Sequence, residues 1–224
     1  MLSTKGIQEG GKAKTLSPGK HTVKLHSISL GKGYEEGSYN VYLHVEGPDM
    51  GPEFEGFFKD KDNQSKGRYA GQVGRVRLSP FPYKDGVTKS GIQVFRDQNI
   101  LRGLKSLSKA LGLTEELDKI TANTIEEFVE KASNLFATAQ PFNIICGGKQ
   151  YEKGGYTQYD LFVPNSKDGK YGFEAASVDP KDSKLMTYDP ALHIQGQKAP
   201  EPVQSFDGVP AGATADANAD FDLF

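Results

Sequence analysis

Hydrophobic and polar residues alternate along the first part of the chain, which is the pattern of half-buried β-strands. The clearest case is Val41, Leu43 and Val45, which alternate with more polar neighbours and so predict one buried and one wet face. A strand over residues 23–30 should precede it, and the alternation there breaks near Ser27, which indicates a β-bulge. Three more strands are predicted in this half of the chain, at residues 53–59, 73–78 and 92–95.

From about residue 97 to residue 137 the apolar residues recur at helical spacing. A first helix should begin near Asp97 and end at Gly112, because an acidic residue suits a helix start and glycine suits the left-handed residue after a helix. A second helix should begin at Thr124, because Thr124 and Glu127 form a capping box. Strands resume at residues 142–146 and 156–163, joined by a glycine-rich loop at residues 147–155.

This order of elements predicts a mainly β fold with a helical insertion (β+α). Strands that leave no exposed edge can close into a small barrel, and a helical block before the last two strands fits an OB-like antiparallel barrel. A split α+β sheet fits the same order. The predicted divisions are a flexible basic N-terminal arm over residues 1–17, the OB-like domain over residues 18–177, and an irregular segment with a disordered acidic C-terminal tail over residues 178–224.

Composition narrows the class of protein. Charged residues are 25% and hydrophobic residues 36% of the 224, which is typical of a soluble domain, and the 26 Gly, 10 Tyr and 13 Phe favour strands and turns over a helical bundle. The single cysteine excludes an intramolecular disulfide and indicates a reducing compartment. No apolar run has the length of a signal-peptide core or of a membrane span. We therefore expect a cytoplasmic protein with no membrane partner.

Charge is distributed unevenly along the chain. All 27 Lys and Arg lie before Ala199, together with 24 of the 29 acidic residues. The body therefore carries a formal charge of +3 and the tail −5, although the net charge is only −2. A basic body joined to an acidic tail indicates that a polyanion and the tail compete for one surface.

Motifs for catalysis or metal binding are missing from the sequence. The four histidines are scattered, and none lies near a Cys or an acid pair at metal-ligand spacing. Residues 60–71 begin like a calcium loop, but Ser65 stands where Gly is needed and Gly71 where Glu is needed. The one Gly-Lys-Gly run has the wrong spacing for a dinucleotide fingerprint. We expect a protein that is not an enzyme, with no catalytic residue, metal or cofactor.

Aromatic and basic residues are interleaved in the predicted strands and loops. Single-stranded nucleic acid needs both, because bases stack on aromatic faces and cations follow the phosphates. Arg75 and Arg77 share one face of a predicted strand, which suits a pair of phosphates, while several tyrosines stand in polar, Gly-rich loops with little core to join. The predicted DNA-binding residues are Arg75, Arg77, Tyr83, Lys84, Lys149, Tyr151, Lys153 and Tyr156.

The acidic tail begins near Ala199 and has too few apolar residues to offset the entropy of ordering it. Aromatic residues nevertheless stand at its end. A flexible acidic arm with an aromatic tip suits a peptide ligand, whose acids approach a basic surface while Phe fills a pocket. The simpler alternative is a frayed terminus with incidental Phe. The predicted partner-binding residues are Asp216, Asp220, Phe221, Asp222, Leu223 and Phe224.

The ending Asp220-Phe221-Asp222-Leu223-Phe224, on a β-body with aromatic and basic loops, resembles that of single-stranded DNA-binding proteins of bacteria and some bacteriophages, which end in an Asp-rich tip with a terminal Phe. The runs at residues 17–25, 39–48 and 101–104 are also similar to phage proteins of that replication class. The resemblance implies an OB fold, and binding and protection of single-stranded DNA without strong sequence preference during phage DNA replication and recombination. It further implies a tail that recruits replication proteins, and the host cell cytoplasm.

The tail departs from the bacterial pattern, because its acids are separated by Ala and Asn and Leu223 stands where Pro is usual. The expected tail partner is therefore a cognate phage polymerase, primase or helicase. Two other classes stay open: a non-enzymatic phage structural or assembly protein with a C-terminal docking peptide, and a nuclease or recombination enzyme, for which the sequence offers no convincing acidic cluster for Mg²⁺. Salt-sensitive binding to an unstructured oligonucleotide separates the first class from the second, and Mg²⁺-dependent cleavage identifies the third.

Overall fold

The strands predicted from alternation form most of the structure. The computed structural model describes residues 15–47, 73–88, 90–154, 156–164 and 172–196. Among these residues the fold is mainly β, with a block of helices between the early strands and the last long pair of strands. The predicted strand at residues 53–59, residues 1–14 of the N-terminal arm and the whole acidic tail lie outside the described residues.

The described elements follow the predicted order. The strands are β1 Gly19–Lys32, β2 Tyr39–Glu46, β3 Val73–Arg77, β4 Gly86–Val87, β5 Gln93–Val94, β6 Phe142–Lys153, β7 Tyr156–Phe162, β8 Phe173–Ala175 and β9 Ile194–Gln195. The helices are α1 Arg96–Leu111, α2 Thr114–Leu117, α3 Ile125–Phe136 and α4 Pro190–His193. Thus α1, α2 and α3 form the helical insertion between the short strand β5 and the long strand β6.

Five strands pair in a closed circuit. β1 pairs with β2, β2 with β3, β3 with β7, β7 with β6, and β6 again with β1. β1 is long enough to serve two neighbours, because residues 19–23 pair with β6 and residues 24–32 pair with β2. The register of β1 against β2 shifts between Leu25 and Ser27, which confirms the predicted bulge. A bulge bends a strand locally, so it suits the point where β1 passes from one neighbour to the other.

The pairing is mixed, so the prediction of an antiparallel arrangement is wrong at one pair of the five-strand circuit. Val76 and Arg77 of β3 lie parallel to Leu161 and Phe162 of β7. The reason is geometric: β1 and β3 run in the same direction because both are antiparallel to β2, and β7 shares that direction because both β1 and β7 are antiparallel to β6. A closed circuit of five strands cannot alternate throughout and must contain a parallel pair.

The core lies between the inward side chains of the strands and one face of the helices. Side chains with no exposed surface include Val23, Leu43, Val76, Phe136 and Phe142. α3 lies against β1, where the Ser133 hydroxyl accepts a hydrogen bond from the backbone N–H of Ile28 at 2.8 Å. This bond satisfies a buried backbone donor just after the bulge.

The two longer helices confirm the predicted helical spacing. α1 ends at Gly112, whose φ of 69° is left-handed as expected. Asp97 does not cap this helix as predicted, because the N-cap is Phe95 and Asp97 lies in the first turn. α3 begins with the predicted cap, in which the Thr124 side chain accepts a hydrogen bond from the backbone N–H of Glu127. Among the described residues no helix is long and apolar enough to cross a membrane.

Two regions that were expected to be irregular contain regular structure. β6 continues to Lys153 and pairs with β7 over residues 147–153, so these residues are strand and not loop. Glycine at position 147 permits the pairing of β6 with β7 there, because a Cβ on Gly147 would lie 2.6 Å from the ring of Phe162. After residue 177, α4 and β9 form, and β9 pairs in parallel with Gly148 and Lys149 of β6. These contacts hold the last described residues against the main sheet.

Candidate nucleic-acid interface

The outer face of β2 and β3 carries four side chains in two facing pairs. Tyr42 lies opposite Arg77, and His44 lies opposite Arg75. The residues that alternate with them, Leu43 and Val76 among others, are buried in the core. Because side chains alternate along a strand, the four residues share the outward side of the sheet. We call Tyr42, His44, Arg75 and Arg77 the β2–β3 face.

Arg75 stacks on Tyr42. Its guanidinium carbon lies 4.5 Å from the centre of the Tyr42 ring, which is a cation–π geometry. The ring extends over the backbone of Gly31 on β1, since a Cβ at position 31 would come within 2.7 Å of a ring carbon. Glycine at this position therefore leaves the space that the tyrosine ring occupies.

Within the part of the chain that the structure describes, the two arginines of this face have unused hydrogen-bonding capacity. Arg75 is exposed and Arg77 is half-buried, and neither guanidinium makes a hydrogen bond or an ion pair with another described residue. A guanidinium carries five N–H donors in a planar fork that matches phosphate geometry. Two such groups beside an aromatic ring can bind phosphates while a base stacks on the same surface.

His44 completes the face and is neutral at pH 7. Its Nε2 lies 2.7 Å from the Ser29 hydroxyl of β1. Burial, and then the positive charge of Arg75, lower the pKa of His44 from its usual value of 6.5. At neutral pH the cations of this face are therefore the two arginines.

A second cluster lies on the hairpin formed by β6 and β7. Lys149, Tyr151 and Lys153 alternate along β6, so their side chains share one side of the hairpin. Tyr151 is 39% exposed, and its hydroxyl donates a hydrogen bond to the Gln158 side chain at 3.1 Å. Tyr156 is the first residue of β7 and pairs with Lys153. We call Lys149, Tyr151 and Lys153 the hairpin cluster.

The two groups lie on the same side of the sheet. Arg77 pairs with Phe162, which pairs with Gly147, and Lys149 follows Gly147 by two positions. Phe162, which stands between the groups in strand order, is buried. The backbone of His193 covers this point, because a Cβ on Gly147 would meet both the Phe162 ring and the His193 carbonyl. Five of the predicted residues thus lie in two clusters, Arg75 and Arg77 in one and Lys149, Tyr151 and Lys153 in the other, with the α4–β9 segment between them.

Tyr83 does not match its predicted surroundings. Its backbone exchanges two hydrogen bonds with Tyr39, of 2.7 and 2.9 Å, and its side chain packs against the core. Gly103 of α1 leaves room for it, because a Cβ there would lie 3.1 Å from the Tyr83 hydroxyl. Burial raises the pKa of Tyr83 above its usual value of 10. The expectation that Tyr83 has little core to join is therefore wrong, and we leave it out of the candidate surface.

Lys84 is exposed but engaged. Its Nζ lies 2.9 and 3.0 Å from the two carboxylate oxygens of Glu35 in the β1–β2 loop. Both side chains are more than half exposed, and such surface pairs contribute little to stability. Lys84 can therefore exchange Glu35 for a phosphate at small cost.

A second Arg–Tyr pair lies at the start of α1. The guanidinium carbon of Arg96 is 4.5 Å from the centre of the Tyr39 ring. Arg96 also donates to the Asp97 carboxylate at 2.7 Å and to the Gly37 carbonyl at 2.8 Å. The Tyr39 hydroxyl donates to Glu126 of α3 at 2.7 Å. This pair joins the β1–β2 loop, α1 and α3, and its polar groups are used within the protein.

Tyr42 and His44 were not among the predicted DNA-binding residues. The signal that identifies them was present in the alternation of β2, because the positions between Val41, Leu43 and Val45 must lie on the wet face. What the sequence did not show is that β3 lies beside β2, which brings Arg75 onto Tyr42. The tail residues Asp216, Asp220, Phe221, Asp222, Leu223 and Phe224 lie outside the described residues.

The described residues contain no group of three or more His, Cys, Asp or Glu side chains that could hold a metal ion. Cys146 is buried in the core, and burial raises the pKa of its thiol to about 12. In comparisons with known proteins, the chain matches no family model and no curated protein sequence.

Proposed function

We propose that this protein binds single-stranded DNA through the β2–β3 face, without strong sequence preference and without catalysing a reaction. The observation that carries the proposal is the Arg75–Tyr42 stack, with Arg77 beside it and no other described partner for either guanidinium. Aromatic stacking contributes roughly 1–3 kcal/mol per base, and it tolerates any base because every base has a flat face. Phosphate contacts add affinity without selecting a sequence.

The strand circuit supports an OB-like barrel made of β1, β2, β3, β6 and β7. An OB fold is a five-stranded barrel that binds oligonucleotides on the face of its second and third strands, and at the loops between its first and second and its fourth and fifth strands. In this chain the corresponding places are the β2–β3 face, the β1–β2 loop and the end of the β6–β7 hairpin. The hairpin cluster then lies where a bound strand would leave the β2–β3 face.

The tail proposal is supported by the position of the last described residues. Gln195 pairs with Lys149 of the hairpin cluster, and a Cβ on Gly196 would lie 3.2 Å from the carbonyl of Gln150. The chain that follows carries five acidic residues. A flexible segment of that length spans roughly 5–6 Å times the square root of its residue number, about 30 Å, which is enough to reach either cluster. We propose that the tail competes with DNA for these cations and recruits replication proteins, a phage polymerase, primase or helicase, through Phe221 and Phe224.

A comparison of three ligands tests the proposed function. Fluorescence anisotropy should show tight binding to labelled oligo(dT) and weaker binding to a duplex of the same length, with an RNA strand as the third ligand. Raising the salt concentration should weaken binding to the single strand, with a log–log slope of about −0.7 for each phosphate contact. Equal affinity for duplex and single strand would sink the proposal. A chain with no salt-sensitive binding at all would instead favour the structural or assembly protein.

Two tail variants separate competition from recruitment. Deletion of residues 211–224 should strengthen DNA binding at low salt, and this gain should vanish at high salt, where charges are screened. Deletion of Phe224 alone leaves all five acids, so DNA affinity should stay the same while capture of a cognate replication protein falls. A long deletion that weakens DNA binding would contradict the competition, and unchanged partner capture without Phe224 would contradict the recruitment.

A further inference from the structure

His44 stands between the two arginines and β1 on the proposed DNA-binding face. It lies opposite Arg75 on β3 and opposite Ser27 on β1. Its Nε2 is 2.7 Å from the Ser29 hydroxyl, and its Nδ1 has no hydrogen-bond partner among the described residues. One ring nitrogen is therefore available to a ligand that binds beside Arg75.

Among the described residues, the charged surroundings of His44 are mostly cationic. The titratable side chains that share its side of β1, β2 and β3 are Lys24, His26, Tyr42, Glu46, Arg75 and Arg77. Glu46 is the carboxylate of this group, and it is buried with its oxygen 3.5 Å from Nε2 of His26. Arg75 lies directly opposite His44. Burial is the larger cause that lowers the pKa of His44, and the positive charge of Arg75 is the second. The ring is thus kept neutral partly by a positive charge that a phosphate would neutralise.

A phosphate bound at Arg75 reverses this balance, because it cancels the opposing charge and offers an acceptor for a second ring N–H. We propose that His44 takes up one proton from solvent when single-stranded DNA binds at Arg75. The protonated ring then donates one N–H to the Ser29 hydroxyl and the other to a phosphate of the strand. The Ser29 hydroxyl allows this change, since a hydroxyl can rotate from donor to acceptor. The inference rests on the proposed function. It makes His44 a residue that contacts DNA and raises the affinity for DNA at acid pH.

The sign of the pH dependence follows from the linkage. Phosphate favours the protonated ring, so the pKa of His44 is higher in the complex than in the unbound protein, where it lies below 6.5. Affinity is therefore constant above the pKa of the complex, rises as the pH falls between the two pKa values, and levels off below the pKa of the unbound protein. A pKa that rises by about one on binding gives up to about tenfold tighter binding in acid. The salt slope should steepen by about 0.7, because one more cation meets the strand.

Anisotropy of labelled oligo(dT) with the full chain, from about pH 5.5 to about pH 8, measures this dependence. The lower limit keeps the carboxylates of the tail ionised, so competition by the tail stays constant. We expect tighter binding and a steeper salt slope at the acid end. An NMR titration of the His44 ring with and without oligo(dT) gives both pKa values directly, and the value with DNA should be the higher one.

Two variants assign the effect to His44. His44→Gln keeps a neutral hydrogen-bonding side chain that does not titrate, so its affinity for oligo(dT) should not increase between the alkaline end and the acid end. His21→Gln is the matched control, because His21 bonds the Ser17 carbonyl in the part of β1 that pairs with β6, and this variant should keep the full gain.

The outcomes separate this inference from the proposed function. Wild-type binding that is salt-sensitive and specific for single strands but flat with pH would overturn the role of His44 and leave the proposed function standing. So would a His44→Gln variant that retains the whole acid gain, or a His44 ring whose pKa does not rise with DNA. A wild-type chain that binds no oligo(dT) at any pH would overturn both.

Discussion

Two Arg–Tyr pairs in this protein have the same stacking distance and different surroundings. Arg75 over Tyr42 and Arg96 over Tyr39 both place the guanidinium carbon 4.5 Å from the ring centre. In the second pair the arginine donates to a carboxylate and a carbonyl, and the tyrosine donates to a glutamate of α3. In the first pair the guanidinium has no hydrogen bond or ion pair to another described residue.

The difference shows that stacking alone does not identify a binding surface. The hydrogen-bonding capacity that is left over decides what a stacked arginine can do, because a guanidinium whose donors are already satisfied gains little from a phosphate. The Arg96 pair is a joint between the β1–β2 loop and two helices. The Arg75 pair lies on the outer side of the sheet, with the Arg75 side chain exposed. Four predictions, which use six substitutions, test this distinction in decreasing order of expected effect.

The largest effect is expected at Tyr83, which joins the structural pair through its backbone bonds to Tyr39. Tyr83→Ala removes a ring that packs against the core and should lower the free energy of unfolding by about 3 kcal/mol. DNA affinity of the folded protein should stay the same. Urea unfolding and anisotropy at a temperature where the variant is folded measure the two quantities. Weakened DNA binding by a fully folded Tyr83→Ala variant would show that Tyr83 contributes to DNA binding.

The tyrosines of the two pairs should behave in opposite ways. Tyr42→Ala removes the proposed stacking surface and should cost on the order of 1–3 kcal/mol of DNA binding. Tyr39→Ala should lower the melting temperature, because it releases Glu126 and Arg96, and should leave DNA binding unchanged. Anisotropy with oligo(dT) and thermal unfolding of both variants provide the comparison. Equal losses of DNA binding in the two variants would contradict the assignment of Tyr42 to the DNA-binding surface and of Tyr39 to a structural role.

The arginines should differ in the salt dependence of binding. Arg75→Ala should reduce the magnitude of the log–log salt slope by about 0.7, since one phosphate contact is lost. Arg96→Ala should leave the slope as it is and lower the melting temperature, because Arg96 binds within the protein. Anisotropy at several salt concentrations measures both slopes. A flatter slope in Arg96→Ala, with wild-type slope in Arg75→Ala, would exchange the roles of the two pairs.

The smallest effect is a pH dependence of stability at the structural pair. The hydrogen bond from Tyr39 lowers the pKa of Glu126 below 4.5 in the folded protein. A lowered folded pKa means that Glu126 stabilises the protein above its unfolded pKa, and that this contribution is lost as the pH falls through the folded pKa. Glu126→Gln should therefore melt slightly below the wild type at neutral pH, and the difference should disappear in acid. A difference that persists below the folded pKa would assign the effect to something other than the carboxylate charge.

Much of the local structure was predictable from the sequence. The bulge near Ser27, the left-handed end of α1 at Gly112 and the cap at Thr124 are all present as predicted. The shared face of Arg75 and Arg77 is confirmed as well, since the buried Val76 lies between them on β3. Each of these features depends on residues a few positions apart, so the alternation or spacing of near neighbours contains the necessary information.

The errors share a different cause. The prediction for Tyr83 considered only its polar loop, whereas the bridge to Tyr39 and the space above Gly103 bring its ring to the core. Residues 147–153 were predicted as loop because they are rich in Gly and polar residues, and they form a strand because β7 pairs with them throughout. In both cases a pairing partner outside the segment itself supplies the interaction that decides the structure.

The sequence by itself determined most of the strands, the two longer helices and the outward side chains of β2 and β3, because alternation and helical spacing are properties of the chain alone. The tertiary structure decided which outward side chains meet. Only the pairing of β2 with β3 places Arg75 on Tyr42 and opposite His44, and only the return of the chain after α3 places the parallel pair of β3 and β7. The physical reason is that these contacts join residues far apart in sequence, so they form only when burial of the whole core closes the circuit of strands.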